Sequence, residues 1–442
     1  MRNSLLLALL IGPSLLADDW PQWLGPRRDG VWRERGIIEE FSESGPKVRW
    51  RAPVGGGYSG PAVAGGRVYI TDRVLGAGAA KQANPFDRGR INGTERVQCF
   101  DEATGALVWS VAYDCPYSIS YAAGPRATPI VDGGKVYALG AEGNLLCLDA
   151  VKGTEVWSRD FNDDFKIPTP LWGFSAHPLI DGDKLICLAG GQGSTVVAFD
   201  KNTGKELWRA LSAKEPGYAP PMIYEVRGKR QLIVWHPEAL NSLNPDTGEV
   251  YWTEPFPVQS ALSVATPRMW GEDHLFITAF YNGSRLLEFN EGAPGVTTVW
   301  KTKKPSEKDT EHLHSIMSTP FVEGDYVYGT CSYGQLRCLK VSTGERIWET
   351  LAATTRDQKE QRWANAFLIK QDDRFILWNE KGDLIFANLS PAGYREISRA
   401  HLLEPTGTAA GRDVVWSPPA FANRHVFVRN DVELVCVDLG KQ

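Results

Sequence analysis

The sequence predicts an all-β fold: an eight-bladed β-propeller of four-stranded antiparallel blades, closed by pairing the N-terminal strand with the last blade. Three observations predict it. A strand–turn–strand phrase ending in tryptophan recurs, as VQCFDEATGALVW, LLCLDAVKGTEVW, VVAFDKNTGKELW and LRCLKVSTGERIW. The phrase-ending tryptophans, at 50, 109, 157, 208, 252, 300 and 348, are spaced by 59, 48, 51, 44, 48 and 48 residues. The array is also incomplete at both ends, in complementary ways. A fixed period near 48 residues is the mark of a blade repeat.

The elements follow in chain order. Residues 1–17 carry Arg2, an apolar run from Leu5 to Leu16 and a small residue, Ala17, before Asp18 and Asp19, which reads as a cleaved signal peptide. No cysteine follows the apolar run, so a lipid anchor is not expected. Residues 18–46 form an N-terminal extension and residues 47–442 the propeller. The clearest copy, Arg126 to Phe161, alternates short β-rich runs with the turns DGG, EGN and Lys152-Gly153, giving four strands in a meander. The long first gap is caused by a Gly/Ala-rich insertion, Arg73 to Arg96. A further copy ends in YREIS, where Ile397 stands in for the tryptophan. The last copy, SPPAFANRHVFVRNDVELVCVDL, has three strands, and KVRWRAPV, Lys47 to Val54, supplies the fourth. Closure of the ring removes exposed sheet edges. Each tryptophan is expected to lie over the turn glycine of a neighbouring blade and to give its N–H to a carbonyl.

A net charge of -5 over 442 residues, with no long basic run, gives no support for nucleic-acid binding. Beyond the leader no stretch approaches the ~20 apolar residues of a membrane span. Of seven cysteines, Cys99, Cys147, Cys338 and Cys436 share one repeat slot and read as small buried hydrophobes, while Cys331 and Cys338 could face each other across a hairpin.

The A/C-x-D-x-x-T-G-x-x-x-W phrases, with S/T-x-P opening each blade, resemble the quinoprotein (PQQ-like) β-propeller repeats. That superfamily includes the PQQ-dependent alcohol dehydrogenases and BamB-like outer-membrane assembly factors. The dehydrogenase branch implies PQQ under an adjacent-cysteine disulfide, a calcium ion and an aspartate base. This chain has no Cys-Cys pair, no CxxCH haem motif and no D-x-[DN]-x-[DN]-G loop. The resemblance therefore points to an exported, periplasmic or secreted, non-catalytic scaffold without a cofactor. It is expected to be a monomer that binds an envelope protein or a small ligand. The alternative is a PQQ-dependent oxidoreductase acting on alcohols or sugars.

Residues just before each first strand should crowd one mouth of the channel. Counted three before the blade-opening proline, that slot holds Tyr58, Arg126, Ser175, Tyr218, Val264, Met317, Asn365 and Trp416, and Trp172, Phe174, His314 and Trp363 lie close by. The funnel candidates are Tyr58, Arg126, Trp172, Phe174, Tyr218, His314, Trp363, Asn365 and Trp416, an aromatic set with one cation that suits a planar, sugar-like or anionic ligand, or a peptide segment. No catalytic residue and no metal site is assigned. His312 and His314 in EHLHS would share one face of a strand without a third ligand, which suits solvent-facing or funnel-lining histidines. His177 in SAHP reads as a turn histidine.

Overall fold

Turn chemistry cuts each repeat into hairpins. In blade 2 the strands Ile130–Asp132, Lys135–Leu139, Asn144–Asp149 and Glu155–Asp160 pair in chain order. The DGG turn between the first two holds Gly133 and Gly134 at φ 54° and 75°, a region that glycine enters without steric cost. The computed structural model describes residues 19–441; the expected leader lies outside them. Eight such four-stranded sheets surround a central channel, with innermost strands beginning at Ala62, Ile130, Leu179, Met222, Arg268, Phe321, Ala366 and Ala420. Among the described residues no helix is long and apolar enough to cross a membrane.

The ring closes as expected. Strand Lys47–Pro53 pairs antiparallel with Glu433–Asp438, Lys47 opposite Asp438 and Pro53 opposite Glu433, completing blade 8 from the start of the chain.

Each tryptophan sits on the outer strand directly after a β-bulge. The cross-strand partner of Trp109, Trp157, Trp348 and Trp50 is Cys99, Cys147, Cys338 and Cys436 respectively. In these four blades the slot under the indole is filled by a small buried thiol, while Trp208, Trp252 and Trp300 face Ala198, Ser242 and Leu286. All seven cysteines are buried and unpaired, so Cys331 and Cys338 form no bridge. The ring then reaches the next blade. Gly204 has φ 69°, and a Cβ placed on it would fall 2.7 Å from the Trp157 ring, so both backbone and space demand glycine. The Trp157 N–H donates to the Lys201 carbonyl at 3.0 Å. Trp50, Trp109, Trp208 and Trp300 cover Gly105, Gly153, Gly248 and Gly344 in the same way. Three junctions differ: the Trp208 N–H has no partner among the described residues, Trp252 donates to Gln231 of its own blade at 3.0 Å, and Trp348 donates to the Ser390 carbonyl at 2.7 Å.

Blade 7 corrects the sequence reading. The bulge falls between Phe386 and Ala387, so the position that tryptophan holds elsewhere is taken by Ser398, opposite Phe386, and Ile397 is the bulged residue before it. The missing aromatic ring comes from the N-terminal extension. Phe41 stacks on Phe386 at 4.3 Å, and its N–H donates to Ser398 Oγ at 3.0 Å. A serine leaves the room that Phe41 fills.

The rest of the extension crosses the ring. Trp20 exchanges backbone bonds with Val63 of blade 1, and Pro21 accepts from the Val131 N–H of blade 2 at 2.8 Å. Trp23 stacks on His177 of blade 3 at 4.9 Å. Buried Arg28 donates to the carbonyls of Pro178 (2.7 Å) and Pro221 (3.4 Å), and Arg268 of blade 5 donates to the Arg28 carbonyl at 2.9 Å. Burial and Arg268 both work against the charge on Arg28, and these carbonyls offset that cost. Val31–Trp32 then pairs parallel with Ala366–Gln371, making blade 7 five-stranded. Ile38 donates to the Leu439 carbonyl at 2.8 Å, beside blade 8. The segment thus plugs one mouth of the channel.

Removing one fastener is expected to be costly. Trp157→Ala deletes a buried ring and its interblade hydrogen bond, and should lower the unfolding free energy in urea by about 3 kcal/mol. A loss under about 1 kcal/mol would place the junction's stability elsewhere.

Candidate functional site

The open mouth leads into a cavity of about 560 Å³ whose floor includes Trp23 and His177. Each blade sends in the residues before its first strand; in seven of them a Ser-x-Pro or Ala-x-Pro opening ends the incoming loop at the axis. Seven of the eight slot positions line it: Tyr58, Arg126, Ser175, Tyr218, Val264, Met317 and Trp416. Trp172 and Trp363 also line it.

Three of the sequence candidates sit outside this lining. Phe174 packs edge-on to Phe161 at 5.4 Å, over the Gly143 turn. His314 is buried, and its Nδ1–H donates to the Phe280 carbonyl at 3.0 Å. Asn365 is buried behind the mouth, its carbonyl accepting from the Glu380 N–H. The Asn365 slot was miscounted because blade 7 lacks the proline. Every other innermost strand starts one residue after that proline; the same count from Ala366 lands on Arg362, which does line the cavity. The EHLHS segment forms no strand. Its histidines are buried, and neither faces solvent or lines the cavity: His312 stacks on Trp300 at 5.0 Å and bonds Thr302. Among the described residues no group of three or more His, Cys, Asp or Glu could hold a metal ion.

The sequence reading missed Phe86, Tyr121 and Tyr281. Phe86 comes from the tip of the insertion, which folds over the mouth. Its ring lies 5.4 Å from Tyr121, 6.0 Å from Trp172 and 6.0 Å from Trp363. Tyr121 reaches across the funnel to Trp416, at 5.7 Å. The only signal for Phe86 was the insertion's length, and for Tyr121 the proximity of SYAAGP to Arg126.

Polar neighbours set the orientation of these rings. Trp416 donates to Glu380 at 3.0 Å, and Glu380 is held by Arg412 at 2.7 and 3.0 Å. Tyr218 donates to Glu215 at 2.7 Å. Arg362 pairs with Glu307, donates to the Tyr281 hydroxyl and lies 4.4 Å from the Trp363 ring centroid. Arg126 has no carboxylate partner among the described residues. Its guanidinium donates to the carbonyls of Gly124 (2.5 Å), Ser120 (2.8 Å) and Tyr121 (2.7 Å) and lies over the Tyr58 ring. Arg126 therefore clamps the turn that carries Tyr121, whose φ is 55°, a costly value for a bulky residue.

The cofactor of the dehydrogenase branch would need metal-ligating carboxylates in this lining. The lining contains no aspartate, glutamate or lysine. Calcium takes six to eight oxygen ligands, usually with carboxylates among them. A quinone with three carboxylates would meet two guanidiniums here, one of which, Arg362, is already paired with Glu307. These residues do not fit a calcium-bound PQQ.

Two outcomes follow from this geometry. Arg126→Ala should make local opening of residues 118–124 easier by about 2 kcal/mol, read as faster hydrogen exchange confined to that turn. Unchanged exchange there would remove the clamp role. Burial also depresses the histidines: His177 lies well below its usual value, and His314 is pushed down from 6.5 to about 4. Between pH 6.5 and 4 the unfolded chain binds protons that the folded chain refuses. Stability therefore rises with pH across this window and is lost as pH falls. Burial raises the Glu95 pKa and opposes the trend in the carboxylate range. The thermal midpoint should drop from pH 7 towards pH 4, less steeply in His314→Asn; identical profiles for the two proteins would contradict the assignment.

Comparison with known proteins places these features. Residues 93–350 match the family model described as outer membrane protein assembly factor BamB. The BamB of Bordetella pertussis is 25% identical over 288 residues, 64% of this chain and 67% of that protein. Three other BamB proteins match over 52–56% of their own length, so the chain spans between about half and two thirds of these curated relatives. The quinohemoprotein alcohol dehydrogenase ADH-IIG of Pseudomonas putida is 32% identical over 134 residues, 28% of this chain and 18% of that protein. The solved quinohemoprotein alcohol dehydrogenase of Comamonas testosteroni shares the fold, with a TM-score of 0.59 at 12% identity, covering 96% of this chain and 81% of that one. With more than half of its length matched by the family model, the chain belongs to the family of the outer membrane protein assembly factor BamB.

Proposed function

We propose that this protein is a non-catalytic binding propeller of the cell envelope, exported by its leader, which engages a partner or ligand through the funnel face. The observation that carries the reading is the aromatic, carboxylate-free cavity. General acid–base work needs a titratable group within reach of the reacting atoms. The one histidine in the lining, His177, is stacked under Trp23, and its Nδ1 accepts from the Thr128 N–H at 2.9 Å. The family adds support, since its named members are assembly factors of the outer membrane. The partner surface in this reading is the funnel rim. There Phe86 of the insertion lies against Tyr121, and Ala409 and Val414 of the hairpin Gly407–Ala409/Arg412–Val414 are buried in the same cluster as Tyr121 and Trp363.

In-cell crosslinking and capture from the envelope of the source bacterium should return the same partner reproducibly. Deleting residues 77–91 should reduce that capture while changing the melting temperature little. Titration with PQQ and calcium should move neither quinone absorbance nor melting temperature. Stoichiometric quinone binding, or no reproducible partner, would overturn the reading.

A further inference from the structure

We infer that the funnel cavity takes a small organic monoanion, one carboxylate on an apolar, ring-sized body. The inference rests on the funnel being the binding site and adds the chemistry of its occupant.

Charge comes first. The cavity is lined by two arginines and by no aspartate, glutamate or lysine. Three carboxylates stand behind the lining, and each is already in use. Glu307 pairs with Arg362, Glu380 pairs with Arg412, and Glu215 accepts from the Tyr218 hydroxyl. Arg362 is thereby neutralised. Arg126 is the lining guanidinium that no carboxylate meets among the described residues.

Its carbonyl partners leave part of it unused. A guanidinium carries five N–H donors. Three bonds run from the terminal nitrogens to the carbonyls of Gly124, Ser120 and Tyr121. The Nε–H has no acceptor among the described residues. The side chain is only half-buried, and Nε is not one of the enclosed polar atoms, so it is served by solvent or by a ligand. An occupant of the cavity displaces that solvent and has to bring an acceptor in its place. Against a full positive charge, an anionic acceptor makes the shorter and stronger bond. A cation would meet its own sign there.

The floor favours the same partner. His177 Nδ1 accepts from the Thr128 N–H at 2.9 Å, and burial keeps the ring neutral, so its proton is on Nε2. This Nε2–H also lacks a protein acceptor among the described residues and is not enclosed. The cavity thus offers a charged donor on its wall and a neutral donor on its floor, with no carboxylate in the lining to compete for either.

The rest of the lining sets the body of the ligand. Tyr58, Trp172, Tyr218, Trp363 and Trp416 supply its walls. The chain's own Phe86 shows what they accept: its phenyl ring lies 6.0 Å from both Trp172 and Trp363 at the mouth. Arg126 lies 5.3 Å from the Tyr58 ring centroid, and Tyr58 neighbours Trp416 at 6.2 Å, which puts the charge beside flat apolar faces. A bare inorganic anion would leave those faces uncovered. Several carboxylates on one molecule would outnumber the single unpaired guanidinium, and each extra one would be desolvated at a cost. The volume of about 560 Å³ lies in the range of small-molecule sites.

The test titrates the intact protein with benzoate and phenylacetate and with their neutral amides, benzamide and phenylacetamide, following tryptophan fluorescence and heat. Inorganic phosphate, choline, glucose and PQQ serve as comparators. At least one of the two carboxylates should bind saturably, about tenfold or more tighter than its own amide and tighter than every comparator. Because Arg126 also clamps a turn, the readout in variants is the acid-to-amide ratio. A loosened turn weakens both members of a pair alike and leaves that ratio unchanged. Arg126→Gln should bring the ratio close to one, whereas Arg126→Lys, which keeps the charge, should retain most of it. No saturable carboxylate, an amide that binds as well as its acid, tighter binding of any comparator, or an unchanged ratio in Arg126→Gln would overturn the inference. Failure of every probe together with reproducible capture of an envelope partner would sink the anion alone. Tight PQQ binding would sink the broader reading as well.

Discussion

An indole laid over a glycine of the next blade is the contact on which the ring depends. A propeller blade is a small twisted sheet that cannot bury its faces alone, so its stability resides in the junctions between blades. Here the outer strand bulges, drops a tryptophan across a small cross-strand partner, and sends its N–H to a carbonyl one blade further on. The turn glycine is required twice over, by its positive φ and by the ring above it. Because the same unit recurs, a ring of fixed size follows, and the funnel's shape follows from the ring.

Where the unit fails, the chain finds a substitute. At blade 7, Ser398 occupies the tryptophan position, and the extension delivers Phe41 into the gap. The same extension plugs the channel with Trp23 and Arg28, so a segment outside the repeats both fastens the ring and turns a channel into a cup. The buried Arg28 is affordable only because backbone carbonyls from several blades converge on it. Floor and fastener therefore depend on one stretch of chain.

Legibility in the sequence followed periodicity. The blades, their number, the closing strand Lys47–Pro53 and the structural role of the tryptophans could all be read. Seven of eight slot residues around the funnel could also be read, because a proline marked the register in seven blades. Asn365 was misplaced where that mark was absent. Phe174 and His314 share the neighbourhood of funnel residues along the chain, but their rings turn into the body of the protein. Phe86 and Tyr121 carry no periodic signal, since they lie on an insertion and an interblade loop.

The sequence by itself determined the repeat, and so the strand order, the junction chemistry and the ring's closure. Those depend on local turn geometry and on contacts between neighbouring copies, which recur and leave a pattern. Only the tertiary structure decided what fills the axis: the plug from the extension, the lid of Phe86 and Tyr121, and the commitment of Arg126 to carbonyls. These are single contacts between residues far apart in the chain, made once. A contact made once leaves no period to read.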